Sequence, residues 1–179
     1  HWKMHTHNLK QYYFIDSFNL SKLVNLKKNI CLIWRSKYNE GNHEEVIKTA
    51  NFCRKNNIKF YLANNFKLAI KLDLDGVYIS AYNNSLRHNN YLLKRKFKIL
   101  GSAHNQFEIN CKKNQRIEEL FISPIFKKKG RTPLGLCKVQ GLVKLFKGPK
   151  IALGGINKTN IKLLKLTTFQ GIAAIKYFE

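Results

Sequence analysis

Eight short apolar, β-prone runs recur along the chain, at 12–15, 30–34, 58–62, 76–79, 98–101, 119–122, 150–153 and 171–175. Hydrophobicity is mostly continuous within each run, the pattern of strands buried on both faces of a parallel sheet. Helical periodicity fills the spaces between them. Val46, Ile47, Ala50 and Cys53 share one helical face, and Asn42 and Glu45 are spaced as a capping box. Val139, Leu142, Val143 and Phe146 repeat the i, i+3, i+4, i+7 pattern. Stretches 64–71 and 157–166 are shorter but helix-compatible. Eight strands alternating with helices predict an α/β fold, a compact (β/α)8 TIM barrel. At 179 residues it is well below the ~250 typical of that fold. The last run lies so near the chain end that the closing helix is expected to be truncated. A doubly wound open sheet is the alternative. Residues 1–10 read as a flexible tail and 11–179 as one barrel domain, with no Pro- or Gly-rich linker and no internal repeat.

A hydrophobic fraction of 44% suits a folded domain, and the net charge is +23, from 33 Lys and Arg against 10 Asp and Glu. Such an excess of cations invites a nucleic-acid reading, because clustered cations release counterions from a phosphate backbone. The lysines are spread through nearly every segment, however, and no basic block is interleaved with aromatics. A solvated lysine surface accounts for them, and a nucleic-acid partner is not expected. The same charge draws in small anions. Cys31, Cys53, Cys111 and Cys137 form no CxxC pair and are expected as free, mostly buried thiols in a reducing cytoplasm. The apolar runs are too short to span a membrane, and no signal peptide is visible. Met4 reads as the natural start. His1, His5 and His7 read as part of a loose N-terminal tail or, alternatively, as a metal-binding group.

The segment around Gly154-Gly155 points to a ligand. The run Ile151-Ala152-Leu153 stops at two glycines, and Asn157 sits where a helix cap belongs. Glycines permit a tight turn and close backbone approach, and a helix starting near Asn157 would aim N–H groups and its positive end into the same space. The result is a phosphate cup; the plain alternative is a tight turn with nothing bound. In a parallel barrel the site lies at the C-terminal strand ends. That rule gathers Arg35, Lys37, Asn64, Asn65, Asn83, Ser102, His104, residues 127–131 and Lys176 around the glycines. A mouth of cations and neutral hydrogen-bonding groups suits phosphate or pyrophosphate.

These residues resemble the thiamine phosphate synthase family, a barrel family that also contains thiazole tautomerases. The segment from Ile33 through Arg35 to Lys37 is similar to the family's Gln-x-Arg-x-Lys. Asp75-Gly76-Val77-Tyr78-Ile79 resembles Asp-Gly-Val-His-Leu, and Ser102-Ala103-His104 resembles Ser-x-His. Ser123-Pro124-Ile125-Phe126 resembles Gly-Pro-Val-Phe, Leu134-Gly135 a later Leu-Gly pair, and Leu153-Gly154-Gly155-Ile156 the strand-seven phosphate turn. The resemblance runs from Tyr12 to Phe178. It implies a transferase of thiamine biosynthesis that couples a hydroxymethylpyrimidine diphosphate to a thiazole phosphate and releases pyrophosphate. Arg35, Lys37, Ser102 and Arg131 would then hold the pyrophosphate, with Asn64, Asn65, His104 and Lys128 as further substrate contacts. Gly154, Gly155, Ile175 and Lys176 would hold the thiazole phosphate.

The departures fall on one half of the site. The family's two Mg²⁺ aspartates correspond to Asn64 and Asn83, so a Mg²⁺ cofactor is doubtful: amide oxygens bring no negative charge to a hard cation. Ile33 stands for the pyrimidine-reading Gln, Ala63 for an Asn, Lys128 and Gly130 for two threonines, and Lys176 for a serine. Arg131 stands for a lysine. Lysines 127, 128, 129 and 176 are the candidate substitutes for metal charge. A phosphate-binding barrel without catalysis is the alternative. The tautomerase branch ranks lower, since its histidine position is Pro124.

Overall fold

A computed structural model of the chain describes residues 9–27, 29–35, 43–127 and 130–178. Eight parallel strands close into a barrel in chain order. They are β1 (Lys10–Ile15), β2 (Ile30–Trp34), β3 (Phe60–Ala63), β4 (Gly76–Ile79), β5 (Lys98–Ala103), β6 (Glu119–Ile122), β7 (Lys150–Leu153) and β8 (Gly171–Ala174). Closure pairs Lys10 with Gly171 and Tyr13 with Ala174, so β8 completes the ring against β1. The helices α1 (Leu20–Val24), α2 (His43–Lys55), α3 (Phe66–Lys71), α4 (Gln106–Asn114) and α5 (Leu136–Val143) follow strands one, two, three, five and six. The fourth and seventh connections carry only 3-10 turns, Arg87–Asn90 and Asn160–Leu166. After β8 the chain forms a turn in which the Phe178 N–H donates to Ile175 O, and no helix follows β8 among the described residues.

Strand alternation separates two cores. Tyr12, Phe14, Ile33, Tyr61, Tyr78 and Phe121 belong to the set that fills the barrel. Edge-to-face pairs link Tyr12 to Phe121 at 5.0 Å, Phe14 to Tyr78 at 5.2 Å and Tyr78 to Phe121 at 5.4 Å. The opposite strand faces, with residues such as Leu32, Phe60 and Val77, pack against helix residues including Ala50, Ala69, Ile109 and Val139.

Local chemistry explains where sequence and structure part. Ile58 does not begin β3. Asn57 takes φ +54°, and Ile58 N–H donates to Cys53 O at 2.9 Å, so the pair closes the C-terminus of α2 in a Schellman-type cap. The buried face of α2 is Val46, Thr49, Ala50 and Cys53. Ile47 is exposed, while Thr49 is buried because its hydroxyl donates to Glu45 O at 2.8 Å. Asn42, the other member of the expected capping box, lies outside the described residues. Cys53 is buried, Cys31 and Cys111 are half-buried, and Cys137 is exposed, so the thiols are less uniformly buried than expected. β1 starts at Lys10, whose ammonium pairs with the Glu119 carboxylate.

That pair belongs to a polar plug at the N-terminal end of the barrel. Glu119 is 2% exposed and accepts from Tyr12 Oη at 2.6 Å and from Lys10, with Lys98 Nζ at 3.8 Å. Burial and the neighbouring carboxylate push the Tyr12 phenol far above its usual range, so it remains a donor. No helix among the described residues is long and apolar enough to cross a membrane.

Candidate functional site

The glycine turn follows β7, and its shape is set by its neighbours. Gly154 and Gly155 take φ +97° and +70°. A Cβ on Gly155 would lie 2.7 Å from Phe126 O and 2.8 Å from Lys127 O; one on Gly154 would lie 2.9 Å from Pro124 Cα. The turn is held through its carbonyls: Phe126 N–H donates to Gly154 O at 3.1 Å and Asn160 Nδ2 to Gly155 O at 2.7 Å. Its own N–H groups take no part in these bonds. The expected helix from Asn157 is instead a 3-10 turn starting at Asn160. Asn157 Oδ1 accepts from Thr159 N, Thr159 Oγ1 and Asn160 N, while Asn157 N–H donates to Asn160 Oδ1. This local knot satisfies the side chain within the loop, so no long helix dipole stands behind the cup.

In front of the turn lies a cavity of ≈ 420 Å³ lined by Arg35, Lys127, Gly154, Gly155, Asn157 and Lys176, with Phe14, Leu153, Ile156, Ala174 and Ile175 as its apolar walls. It therefore gathers six of the sequence-predicted residues: Arg35, Lys127, Gly154, Gly155, Ile175 and Lys176. Among the described residues, three cations and no carboxylate line it. The Arg35 guanidinium sits 5.1 Å from the centroid of Phe14, which orients the fork by cation–π contact. A neighbouring cavity of ≈ 420 Å³ shares Phe14, Arg35 and Ile175 and adds Asp16, Ser17 and Lys22.

A second group stands at the ends of β5 and β6. Glu108 Oε2 accepts from the His104 backbone N–H at 2.6 Å and from His104 Nδ1 at 2.9 Å. With the proton on Nδ1, Nε2 is left as the acceptor for Arg131 Nη1 at 3.1 Å. The result is a carboxylate–imidazole–guanidinium chain: His104 orients Arg131. Ser102 is buried at 4% exposure, with the Tyr78 hydroxyl as its hydrogen-bonding neighbour. Burial raises the Tyr78 phenol to about 12, against the lowering effects of Ser102 and the Arg35 charge.

The third group is the pair at the expected metal positions. Asn64, at φ +60°, accepts at Oδ1 from Ser80 N–H (3.0 Å) and from Asn83 Nδ2 (3.0 Å). Its Nδ2 donates to Ser80 Oγ at 2.9 Å and Tyr82 Oη at 3.1 Å. Asn83 Oδ1 accepts from Ser85 N–H at 3.0 Å. Two backbone donors thus fix which way each amide points. Both Asn64 lone pairs are spent, and neither residue brings negative charge. Mg²⁺ requires free oxygen ligands in near-octahedral array, so the residues present do not fit it. Among the described residues no cluster of three or more His, Cys, Asp or Glu side chains forms a metal site. Asn65 uses its oxygen to cap α3, accepting from Leu68 N–H at 3.0 Å. Lys37 and Lys128 lie outside the described residues.

Sequence reasoning missed three contributors. Phe14 was read only as strand, although its place near the end of an inward-facing set puts it at the mouth. Glu108 carried a visible signal: Asn105 followed three residues later by an acid is an N-terminal helix signature, and Glu108 N–H does donate to Asn105 Oδ1. Lys112, fully buried on α4, carried none beyond a lysine on the face that holds Ile109.

The profile of the thiamine monophosphate synthase family matches residues 28–178. A thiamine-phosphate synthase of Prochlorococcus marinus is 33% identical over 141 residues, covering 74% of this chain and 40% of that protein. The corresponding protein of Persephonella marina is 26% identical over 145 residues, covering 79% of this chain and 69% of its own length. Among solved structures, the thiamine phosphate pyrophosphorylase of Pyrococcus furiosus superposes with a TM-score of 0.71 at 22% identity, over 94% of this chain and 86% of that one. The likeness in structure is one of fold. The chain spans less than half the length of the Prochlorococcus relative.

Proposed function

Because the chain belongs to the thiamine monophosphate synthase family, we propose that it binds a thiazole phosphate in the glycine cup and a pyrimidine diphosphate beside it, and couples them. In this reading the thiazole nitrogen lone pair attacks the pyrimidine methylene carbon. The bond from that carbon to the diphosphate oxygen breaks, the oxygen keeps the electron pair, and thiamine phosphate and pyrophosphate result. The chain's own cations neutralise the leaving group, and no step passes through Mg²⁺. The observation that carries the reading is the ≈ 420 Å³ cavity in which Arg35, Lys127 and Lys176 face Gly154 and Gly155, with no carboxylate lining it among the described residues. Fixed cations in a partly apolar recess stabilise charge more than the same groups in water. Phe14, Leu153 and Ile175 offer the heterocycle a dry wall. Arg131, oriented by His104, is the proposed contact to the outer phosphate, with Lys37 and Lys128 as further cations. Ser102 joins by exchanging the Tyr78 hydroxyl for a phosphate oxygen, and Asn65 through its amide N–H.

One observation favours a second reading, a phosphate-binding barrel without turnover: Asn64 and Asn83 are sealed against each other where a metal site would be open. Incubating the protein with both heterocycles, with Mg²⁺ and with EDTA, separates the two. The coupling reading expects thiamine phosphate in both incubations. Binding of thiazole phosphate without product would establish the non-catalytic reading and remove the first.

A further inference from the structure

Behind the Asn64–Asn83 pair lies a feature that the coupling chemistry does not call on. Lys112 projects from α4 and is 0% exposed. Its ammonium donates to Asn83 O at 2.7 Å, Gln115 Oε1 at 2.9 Å and Ala81 O at 3.4 Å. Three N–H donors meet three neutral oxygens, and no carboxylate lies within ion-pair distance of it among the described residues. Gln115, also 0% exposed, uses both its N–H groups on the same loop, at Asn83 O (2.8 Å) and Ser85 O (2.9 Å). The segment from Ser80 to Ser85 is therefore clamped on two sides. An ammonium and an amide hold its carbonyls from behind, and the Asn64 amide holds Ser80, Tyr82 and Asn83 in front.

Burying an ammonium opposes folding unless oxygens replace its water shell, so Lys112 needs these carbonyls as much as they need it. Burial draws its pKa down to about 8, which leaves the group largely charged at neutral pH. The Ala81 and Asn83 carbonyls are thus committed to Lys112, and the Asn83 side-chain amide to Asn64 and Ser85.

We infer that Lys112 is the internal cation around which the β3–β4 half of the mouth is assembled, a positioning residue that keeps the Asn83–Asn64 pair in place so that this half is ordered without a divalent metal. The consequence for ligands rests on the phosphate-binding reading above; the ordering of the loop does not.

Hydrogen exchange of residues 80–86, measured on the full chain in EDTA and again with Mg²⁺, gives the first test. The wild-type loop is expected to be equally protected in both. In Lys112→Met, which keeps the bulk and removes the charge, exchange in this loop should rise about tenfold or more, the scale of one lost charge-assisted hydrogen bond, with β1 and β7 unchanged. In Lys112→Ala, butylammonium should restore protection and butanol should not, a distinction that a merely space-filling role would not produce. Thiamine phosphate affinity, followed in the same samples, should fall with loop protection and return with it. Protection of the wild-type loop only when Mg²⁺ is added would overturn the inference even if neither variant folds. So would wild-type exchange in Lys112→Met, or rescue by butanol. Failure of the wild-type protein to bind thiamine phosphate would remove the proposed function and leave the exchange result to decide Lys112.

Discussion

The side-chain amide of Asn83 donates to the side-chain oxygen of Asn64 at 3.0 Å, joining across the mouth the two positions at which relatives in this family are expected to hold a metal. This bond depends on the Asn83 amide as donor; two carboxylates in the same places would have no donor between them and would repel. The double variant Asn64→Asp, Asn83→Asp should therefore lose about 1–3 kcal/mol of stability in EDTA. It should also gain a Mg²⁺-dependent stabilisation, about 2.7 kcal/mol at one hundred times the dissociation constant. Thermal melts with EDTA and with Mg²⁺ would show the gain in the double variant and none in the wild type. Equal shifts in both proteins would contradict the lack of metal fit.

His104 acts on Arg131 through a tautomer that Glu108 selects, since a proton held on Nδ1 leaves Nε2 free to accept. Removing the imidazole in His104→Ala frees the guanidinium to sample other rotamers. Affinity for inorganic pyrophosphate should drop roughly tenfold, the scale of one hydrogen bond to a charged group, while thiazole phosphate binding stays unchanged. Glu108→Gln should lie between the two, because an amide oxygen can still accept from Nδ1 but brings no charge. Calorimetric titration with each ligand checks both expectations; parallel losses for the two ligands would mean that the chain supports the fold rather than Arg131.

The barrel was legible in the sequence because mostly apolar runs of four or five residues fit strands with both faces covered and little else. The run at 58–62 was misread at its start, since an isoleucine after Asn57 serves equally as a helix stop; only the positive φ of Asn57 decides. The site was legible where backbone rules apply. Gly154, Gly155 and Arg35 converge because strand ends converge. Side-chain partnerships were not legible. Nothing in the sequence says that Asn64 spends its oxygen on Asn83, that Asn65 caps a helix, or that Lys112 turns inward. Each depends on which long-range neighbour completes a hydrogen-bond set.

Glu119 anchors the opposite end of the barrel from the ligand mouth, accepting from Tyr12 Oη at 2.6 Å and pairing with Lys10. Glu119→Ala leaves a buried phenol without its acceptor and an ammonium without its partner. The loss should be about 3–5 kcal/mol, as for other broken buried pairs. Denaturant unfolding measures it. Ligand affinity of the folded variant should match the wild type, because among the described residues the cavity at the plug and the cavity at the cup share no lining residue.

Two glycines separate backbone strain from close packing. Gly130 and Gly155 have nearly the same φ, +75° and +70°, yet a Cβ on Gly130 meets nothing within 4 Å while one on Gly155 meets Phe126 O at 2.7 Å. Gly130→Ala should cost about 1–2 kcal/mol, the left-handed penalty alone. Gly155→Ala adds a clash with a backbone that cannot swing aside, so its cost should exceed that of Gly130→Ala by about 1 kcal/mol or more. The displaced segment carries Lys127, one of the three cations of the cavity. Thiazole phosphate affinity should therefore fall in Gly155→Ala and hold in Gly130→Ala. Equal affinities in the two folded variants would mean that the glycine pair serves the turn and not the ligand.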